Sequence, residues 1–477
     1  MLKRFVLKWD SHSNNRLRGR EMKTLRTNTV VLVSIMLLAA ALSGCAQKKD
    51  AAPAAGLGPA TLRYCLWDQL QLPAYKAIAD NFMRENPGVT VTIEITPIAD
   101  YWTKLTTQAA GGNCPDLMTM MMNQFIAHTS NDNLQAIDDY VKADNVDLTK
   151  YNKDYLDAIS YQGKLYGLPK DFDAYGIFYN KDLLAKAGYS SYPKDLYWDY
   201  ETGGTWVEFL QKVTVDRSGR NALDPAFNPR AIAQYGINLM SRTWYNPDQI
   251  LAILVNANDG RVFDEQGFLA LDEPKALEAL KFLGRMVHDW HVVPGLNIIT
   301  ASGSESLFYS QGVACWINGP WTTGDMTRSA SFKWGIADLP KGPTGKSYSR
   351  ANSLYDSIYA RSPSKDAAWK FALYIATAPG QDLLGNTGTV IPAYGPSSTK
   401  YVEYYRDKGV PDVRVFIDGY NGLTVTPPKI NNWARVDDMT RAMFGGSLTE
   451  GKTVADVEAA VIQLVREVNA FQTPIQR

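Results

Sequence analysis

The chain has 477 residues, and its 49 Lys plus Arg balance its 49 Asp plus Glu for a formal net charge of +0. That balance removes any general electrostatic case for a nucleic-acid partner. Four cysteines and four histidines without zinc-type spacing give no basis for a metal site or a cofactor.

The N-terminal segment is expected to be removed from the mature protein. Lys23 and Arg26 precede an apolar stretch over residues 30–42, relieved only by Ser34. A short basic region followed by a short apolar core is a secretory signal, too short to span a bilayer by itself. Residues 1–21 fit no targeting pattern, which points to a start at Met22. The stretch ends in Leu42-Ser43-Gly44-Cys45, which looks like a bacterial lipobox, so residues 1–44 are expected to be cleaved and Cys45 acylated. Residues 45–59, rich in Ala, Gly and Pro, cannot bury a core and read as a tether. The expected location is the outer face of the cell membrane, held by lipid.

Roughly 430 residues remain, more than one hydrophobic core usually organises, so two domains are expected. Residues 61–67 read as a first strand. Tyr75, Ile78, Ala79, Phe82 and Met83 then share a helical face, stopped by Asn86-Pro87-Gly88. Val89, Val91, Ile93 and Ile95 alternate with polar residues, the pattern of a half-buried strand. A helix over 101–110 and an apolar strand within 116–122 follow. This alternation predicts an α/β domain on a largely parallel sheet. A second such set begins near Tyr175 and contains a helix over 275–288. Val454, Val457, Val461, Leu464, Val465 and Val468 make one stripe on a final helix. Cys65 and Cys315 sit in apolar, strand-like runs, and with Cys114 they read as buried free thiols.

Several segments, in order, resemble one family. They are Asn113-Cys114-Pro115-Asp116-Leu117; Gly163-Lys164-Leu165-Tyr166-Gly167-Leu168-Pro169-Lys170-Asp171, running into Phe178-Tyr179-Asn180-Lys181-Asp182-Leu183; and Gly203-Gly204-Thr205-Trp206. Later come 312–321 (Gly-Val-Ala-Cys-Trp-Ile-Asn-Gly-Pro-Trp), 334–340 (Trp-Gly-Ile-Ala-Asp-Leu-Pro), Ala367-Ala368-Trp369-Lys370-Phe371 and Val390-Ile391-Pro392. In these segments the chain is similar to the bacterial extracellular solute-binding proteins of ABC importers, which carry maltose and other sugars. Trp316 departs from the smaller residue common in its strand, and residues 195–201 lengthen a loop.

The resemblance implies an α/β fold of the two-lobed periplasmic-binding-protein type (type II), with three hinge crossings and a ligand cleft between the lobes. The crossings are expected near 171–175, 292–298 and 347–352. Residues 60–172 and 295–349 would then form the N-terminal lobe, and 173–294 and 350–477 the C-terminal lobe. It also implies a sugar ligand, permease subunits of an ABC transporter as partners, and a monomer without enzymatic activity.

A sugar offers hydroxyls, which need paired polar partners, and C–H faces, which pack on aromatic rings. Trp67 and Asp68 at the end of the first strand, and Asn123 and Gln124 at the end of the third, are candidates on that ground. Asp171 and Asp173 at the first crossing, Trp321 after Asn318-Gly319-Pro320, and Asn352 at the third crossing join them. Trp244 and Trp433 match stacking positions of the family, and Arg435 lies beside the latter. The absence of an Arg/Lys cluster among these residues favours a neutral mono- or oligosaccharide. A secreted glycoside hydrolase, which needs two carboxylates flanking one bond, is the competing reading. Asp171 and Asp173 alternate along an extended segment and are expected to point in different directions, a poor pair for that chemistry.

Overall fold

The computed structural model describes residues 57–239, 247–425, 429–430 and 432–474. The signal segment, Cys45 and most of the tether lie outside the described residues, as does Trp244. Ten strands build two five-stranded sheets: β1 (Ala60–Leu66), β2 (Val89–Ile95), β3 (Leu117–Met121), β4 (Leu168–Pro169), β5 (Gly176–Asn180), β6 (Val215–Asp216), β7 (Ile232–Asn238), β8 (Val313–Asn318), β9 (Trp334–Ala337) and β10 (Leu354–Ile358). The first sheet runs β2-β1-β3-β10-β4 and the second β9-β5-β8-β7-β6.

The first sheet follows from the sequence pattern. In β2 the apolar residues turn inward and Thr90 and Thr92 outward. The helix Leu72–Glu85 carries a proline in its first turn, where a missing N–H costs nothing, and ends just before Pro87-Gly88. Its buried stripe is Ala74, Tyr75, Ile78, Ala79 and Phe82, packed on a core that includes Tyr64, Met118 and Phe371. A second buried cluster gathers Trp198, Trp206 and Phe282 with the stripe Val457, Val461, Leu464, Val465 and Val468 of the helix Val454–Asn469. The three described cysteines are free and buried. Among the described residues no helix is long and apolar enough to cross a membrane.

Three expectations need correction. The sheets are mixed: β1 pairs in parallel with β2 and β3, but β10 runs antiparallel to both β3 and β4. In the second sheet only β7 and β8 are parallel. The division of the chain also differs. β8 pairs with β5 and β7, so residues 313–318 belong to the second sheet, and β10 places 354–358 in the first. Both strands are buried nearly throughout, and without an alternating pattern neither carries a mark of the sheet it joins.

The crossings move accordingly. The chain leaves the first sheet at 173–175, returns at 350–353, and leaves again between the helix Thr399–Asp407 and the strand Leu423–Val425. Residues 292–298 are no crossing: the Ile237 backbone donates to the Val292 carbonyl at 3.0 Å, inside the second half. The lengthened loop 195–201 is a packed element, because Trp198 is 1% exposed and stacks on Phe282 with centroids 4.2 Å apart.

Candidate functional site

The first two crossings lie side by side. The Asp173 backbone donates to the Asn352 carbonyl at 2.9 Å, and the Asn352 backbone returns a bond at 3.3 Å. At this junction opens a cavity of about 370 Å³. Its walls come from the end of β1 (Trp67, Asp68, Gln69), from the crossings (Asp171, Asp173, Arg350, Asn352) and from the far half (Tyr175, Gln249, Trp321). The end of a strand is where a sheet stops covering its own edge, so side chains there are free to face a ligand. A second cavity of about 560 Å³ shares Asp68, Gln71 and Trp321 with the first, so the cleft continues past the Trp321 ring.

The aromatic walls are fixed by edge contacts. Trp67 meets Tyr101 with centroids 5.0 Å apart and planes at 75°, and Trp321 meets Tyr175 at 6.1 Å and 77°. Both tryptophans are half-buried. Polar groups hold the floor. Arg350 lies 3.2 Å from Asp248 and 3.7 Å from Asp173. Asn352 donates to Asp173 at 2.7 Å, and the Leu354 backbone donates to Asp171 at 2.9 Å. Tyr175 donates its hydroxyl to Gln249.

Burial dominates the electrostatics. It pushes Asp171 up to about 7, against the opposing pull of Lys170 and the Leu354 N–H. It raises Asp173 and Asp248 as well, although Arg350 opposes it at both. Burial works against the charge of Arg350, but Tyr175, Asp248 and Asp173 outweigh it and hold the guanidinium ionised.

Trp67, Asp68, Asp171, Asp173, Trp321 and Asn352, all read from the sequence, line this one cavity. Asn123 is buried and donates to Asp248 at 3.3 Å; Gln124, half-buried at the start of a short helix, is not among the lining residues. Trp433 is 3% exposed inside the second core cluster. Arg435 reaches outward and sits 3.8 Å above the Phe471 ring. Neither lines the cavity. Asp171 and Asp173 face the same space, contrary to expectation, because residues two apart on an extended chain share a face.

Arg350, Tyr175, Gln249 and Asp248 were not read from the sequence. Position offered a signal for the first two, since each lies within two residues of a proposed crossing residue. Gln249 and Asp248 follow a loop and carry no such mark.

The family model of the bacterial extracellular solute-binding proteins matches residues 68–382. The chain belongs to that family. It is 26% identical over 301 residues to a putative binding protein of Brucella abortus, covering 62% of this chain and 67% of that one. It is 25% identical over 323 residues to the maltotriose-binding protein of Pyrococcus abyssi, covering 66% and 62%. Among solved structures, M. tuberculosis UspC superposes with a TM-score of 0.68 at 27% identity, covering 86% of this chain and 99% of that one. An ABC substrate-binding protein of Listeria monocytogenes, in complex with cycloalternan, superposes at 0.74 with 23% identity, covering 86% and 98%. These neighbours show a type II, two-domain α/β fold. Members of the family bind solutes rather than transform them, which sets the hydrolase reading aside.

Proposed function

We propose that this solute-binding protein captures a sugar outside the cytoplasm and delivers it to the permease subunits of an ABC importer. The observation that carries this reading is the cavity at the junction of the crossings, where half-buried Trp67 and Trp321 stand beside Asp68, Asp171, Asp173, Arg350 and Asn352. Rings that accept C–H faces next to acceptors and donors for hydroxyls are the two chemistries a pyranose needs. Relatives named for maltotriose and lactose support the same class. About 370 Å³ lies at the small end of ligand pockets, roughly 300–1,000 Å³; the adjoining 560 Å³ past Trp321 suits an oligosaccharide. Arg350 is engaged by two carboxylates, so an anionic sugar is disfavoured and the ligand is neutral or cationic. Calorimetric titration of the purified protein with mono- to trisaccharides tests the reading: a sugar should bind without being consumed. Failure of every sugar to bind or to raise the melting temperature would refute it.

The protein is further read as a monomeric lipoprotein, anchored through Cys45 after cleavage of residues 1–44. The Leu42-Ser43-Gly44-Cys45 tetrad behind a short apolar run supports this. Cys45→Ala should release or mis-process the protein while leaving sugar binding intact. Wild-type protein found cut elsewhere and without lipid would refute the anchor.

A further inference from the structure

Around the cleft floor, the described residues leave more acceptors than donors without a hydrogen-bond partner. Asp173 Oδ1 and Asn352 Oδ1, on cavity-lining residues 8% and 1% exposed, have no hydrogen-bond partner, although Arg350 pairs with the former at 3.7 Å. Just behind them, Asn123 Oδ1 and Asp248 Oδ1 are also without one, as is Asp437 Oδ1, whose carboxylate pairs with Arg441 through its other oxygen. Against these acceptors stand two described donors without a partner, Arg350 Nε and the hydroxyl of Tyr75, which feels the charge of Asp171. A buried acceptor left unsatisfied costs about 1–3 kcal/mol, so the missing component is a donor-rich one.

Charge points the same way. Asp68, Asp171 and Asp173 line the cavity, and Arg350 is the one cationic side chain among its described lining residues. Lys170, next in sequence to Asp171, is turned away to Asp356, Thr119 and Tyr64. Asp248 draws further on the same guanidinium from behind. Burial raises Asp171, Asp173 and Asp248, and Lys170 at the first and Arg350 at the other two offset it only in part. Among the described residues no three His, Cys, Asp or Glu gather as metal ligands do. A hydroxyl could donate to one of the carboxylates, but it brings one donor and no charge. An ammonium gives three donors, one charge and no lone pair.

We propose that the cleft selects a sugar or cyclitol bearing a protonated amine, seated against Asp173 and Asn352 with Asp171 beside it. This rests on the sugar-binding reading above. Its ring packs on Trp67 or Trp321, and the ammonium supplies the donors that the Asp173 and Asn352 oxygens lack. Replacing the amine by a hydroxyl removes the charge; acetylating it removes both the charge and two of the donors.

The test is a titration of the full protein with matched series: glucosamine and its β-1,4 disaccharide, glucose and cellobiose, N-acetylglucosamine and diacetylchitobiose. The amine series should bind at least about tenfold more tightly than either neutral series. Asp173→Asn should remove that preference, lowering the affinity of the amine series more than that of either neutral series. Asp68→Asn, at a partly exposed position, gives a weaker loss of preference should the buried variant fold poorly. Equal or tighter binding of a neutral series overturns the amine but leaves the sugar-binding reading standing. Silence from all three series overturns the amine, and silence from a broader sugar panel would overturn both.

Discussion

Asn123, at the end of the first sheet's strand β3, donates to the carboxylate of Asp248 in the far half of the molecule at 3.3 Å. Asp248 in turn holds Arg350 at 3.2 Å, beside the returning crossing. A side chain from one wall of the cleft is thus tied through one carboxylate to the junction that joins both walls. The site is an assembly of groups from distant parts of the chain, and its behaviour depends on how those parts approach each other.

The two kinds of tryptophan should separate cleanly. Trp321 is half-buried and faces both cavities, so Trp321→Ala should weaken sugar binding by about 1–3 kcal/mol with little loss of stability. Trp433 is 3% exposed in the second core. Trp433→Ala should cost about 3–5 kcal/mol of stability through the cavity it leaves, with affinity preserved where the protein is folded. Chemical denaturation and calorimetry on both variants check this. A Trp433→Ala variant of normal stability and lost affinity would mean that this ring serves the ligand.

That contrast marks how far the sequence was legible. Strand and helix positions in the first sheet follow from short-range periodicity, as with the stripe Tyr75, Ile78, Ala79 and Phe82. The aspartates at 171 and 173 were found because they flank a motif that leads into a crossing. The sheet to which β8 and β10 belong was not legible, since their burial is continuous and pairing is a long-range choice. Trp433 was misjudged for a related reason: a tryptophan beside Asn and Arg reads the same whether it caps a core or faces a cleft. Asp248 and Gln249 act through partners far away in sequence, which one local pattern cannot show.

Asp171 should give the protein a measurable dependence on pH. Its folded value is pushed from 3.8 to about 7 by burial, so the folded state holds a proton that the unfolded chain has released. The stabilisation is fully present below the unfolded value, near pH 4, and is lost as pH rises through about 7. Other carboxylates act oppositely, so the difference between wild type and Asp171→Asn isolates this group. Asparagine keeps an acceptor for the Leu354 N–H. The variant should gain stability relative to wild type as pH rises from about 4 to about 7, by urea denaturation across that range. A constant difference over the range would show Asp171 ionised throughout.

Lys170 is a structural charge, and its loss should be felt in folding. The ammonium is 1% exposed, donates to Thr119 at 2.8 Å and Tyr64 at 2.9 Å, and lies 3.5 Å from Asp356. Lys170→Met leaves the Asp356 carboxylate buried without a counter-charge, at a cost of about 3–5 kcal/mol. Lys170→Met combined with Asp356→Leu should recover a good part of that loss, because no lone charge remains. A double variant as unstable as the single one would mean that the hydrogen bonds to Thr119 and Tyr64, rather than the charge pair, carry the effect.

The Asn123–Asp248 contact should also govern how readily the cleft closes. The adjacent crossings, bonded through Asp173 and Asn352, restrain the two halves to bending about one axis, so they should move nearly as rigid bodies. A ligand touching Trp67 on one side and Trp321 on the other gains both contacts only when the halves approach, and its preference for that form is what shifts the population. A hydrogen bond to a carboxylate contributes about 1.5–3 kcal/mol when its geometry is good, enough to bias an equilibrium that lies near balance by roughly tenfold. Asn123→Ala should therefore enlarge the radius of gyration of the ligand-free protein in small-angle scattering, and Asn123→Asp, which sets a second carboxylate against Asp248, should enlarge it further. Saturating sugar should return both variants to the wild-type radius, with affinity lowered by the fraction of closed protein lost. Ligand-free variants with the wild-type radius and unchanged affinity would show that this bond does not hold the halves together.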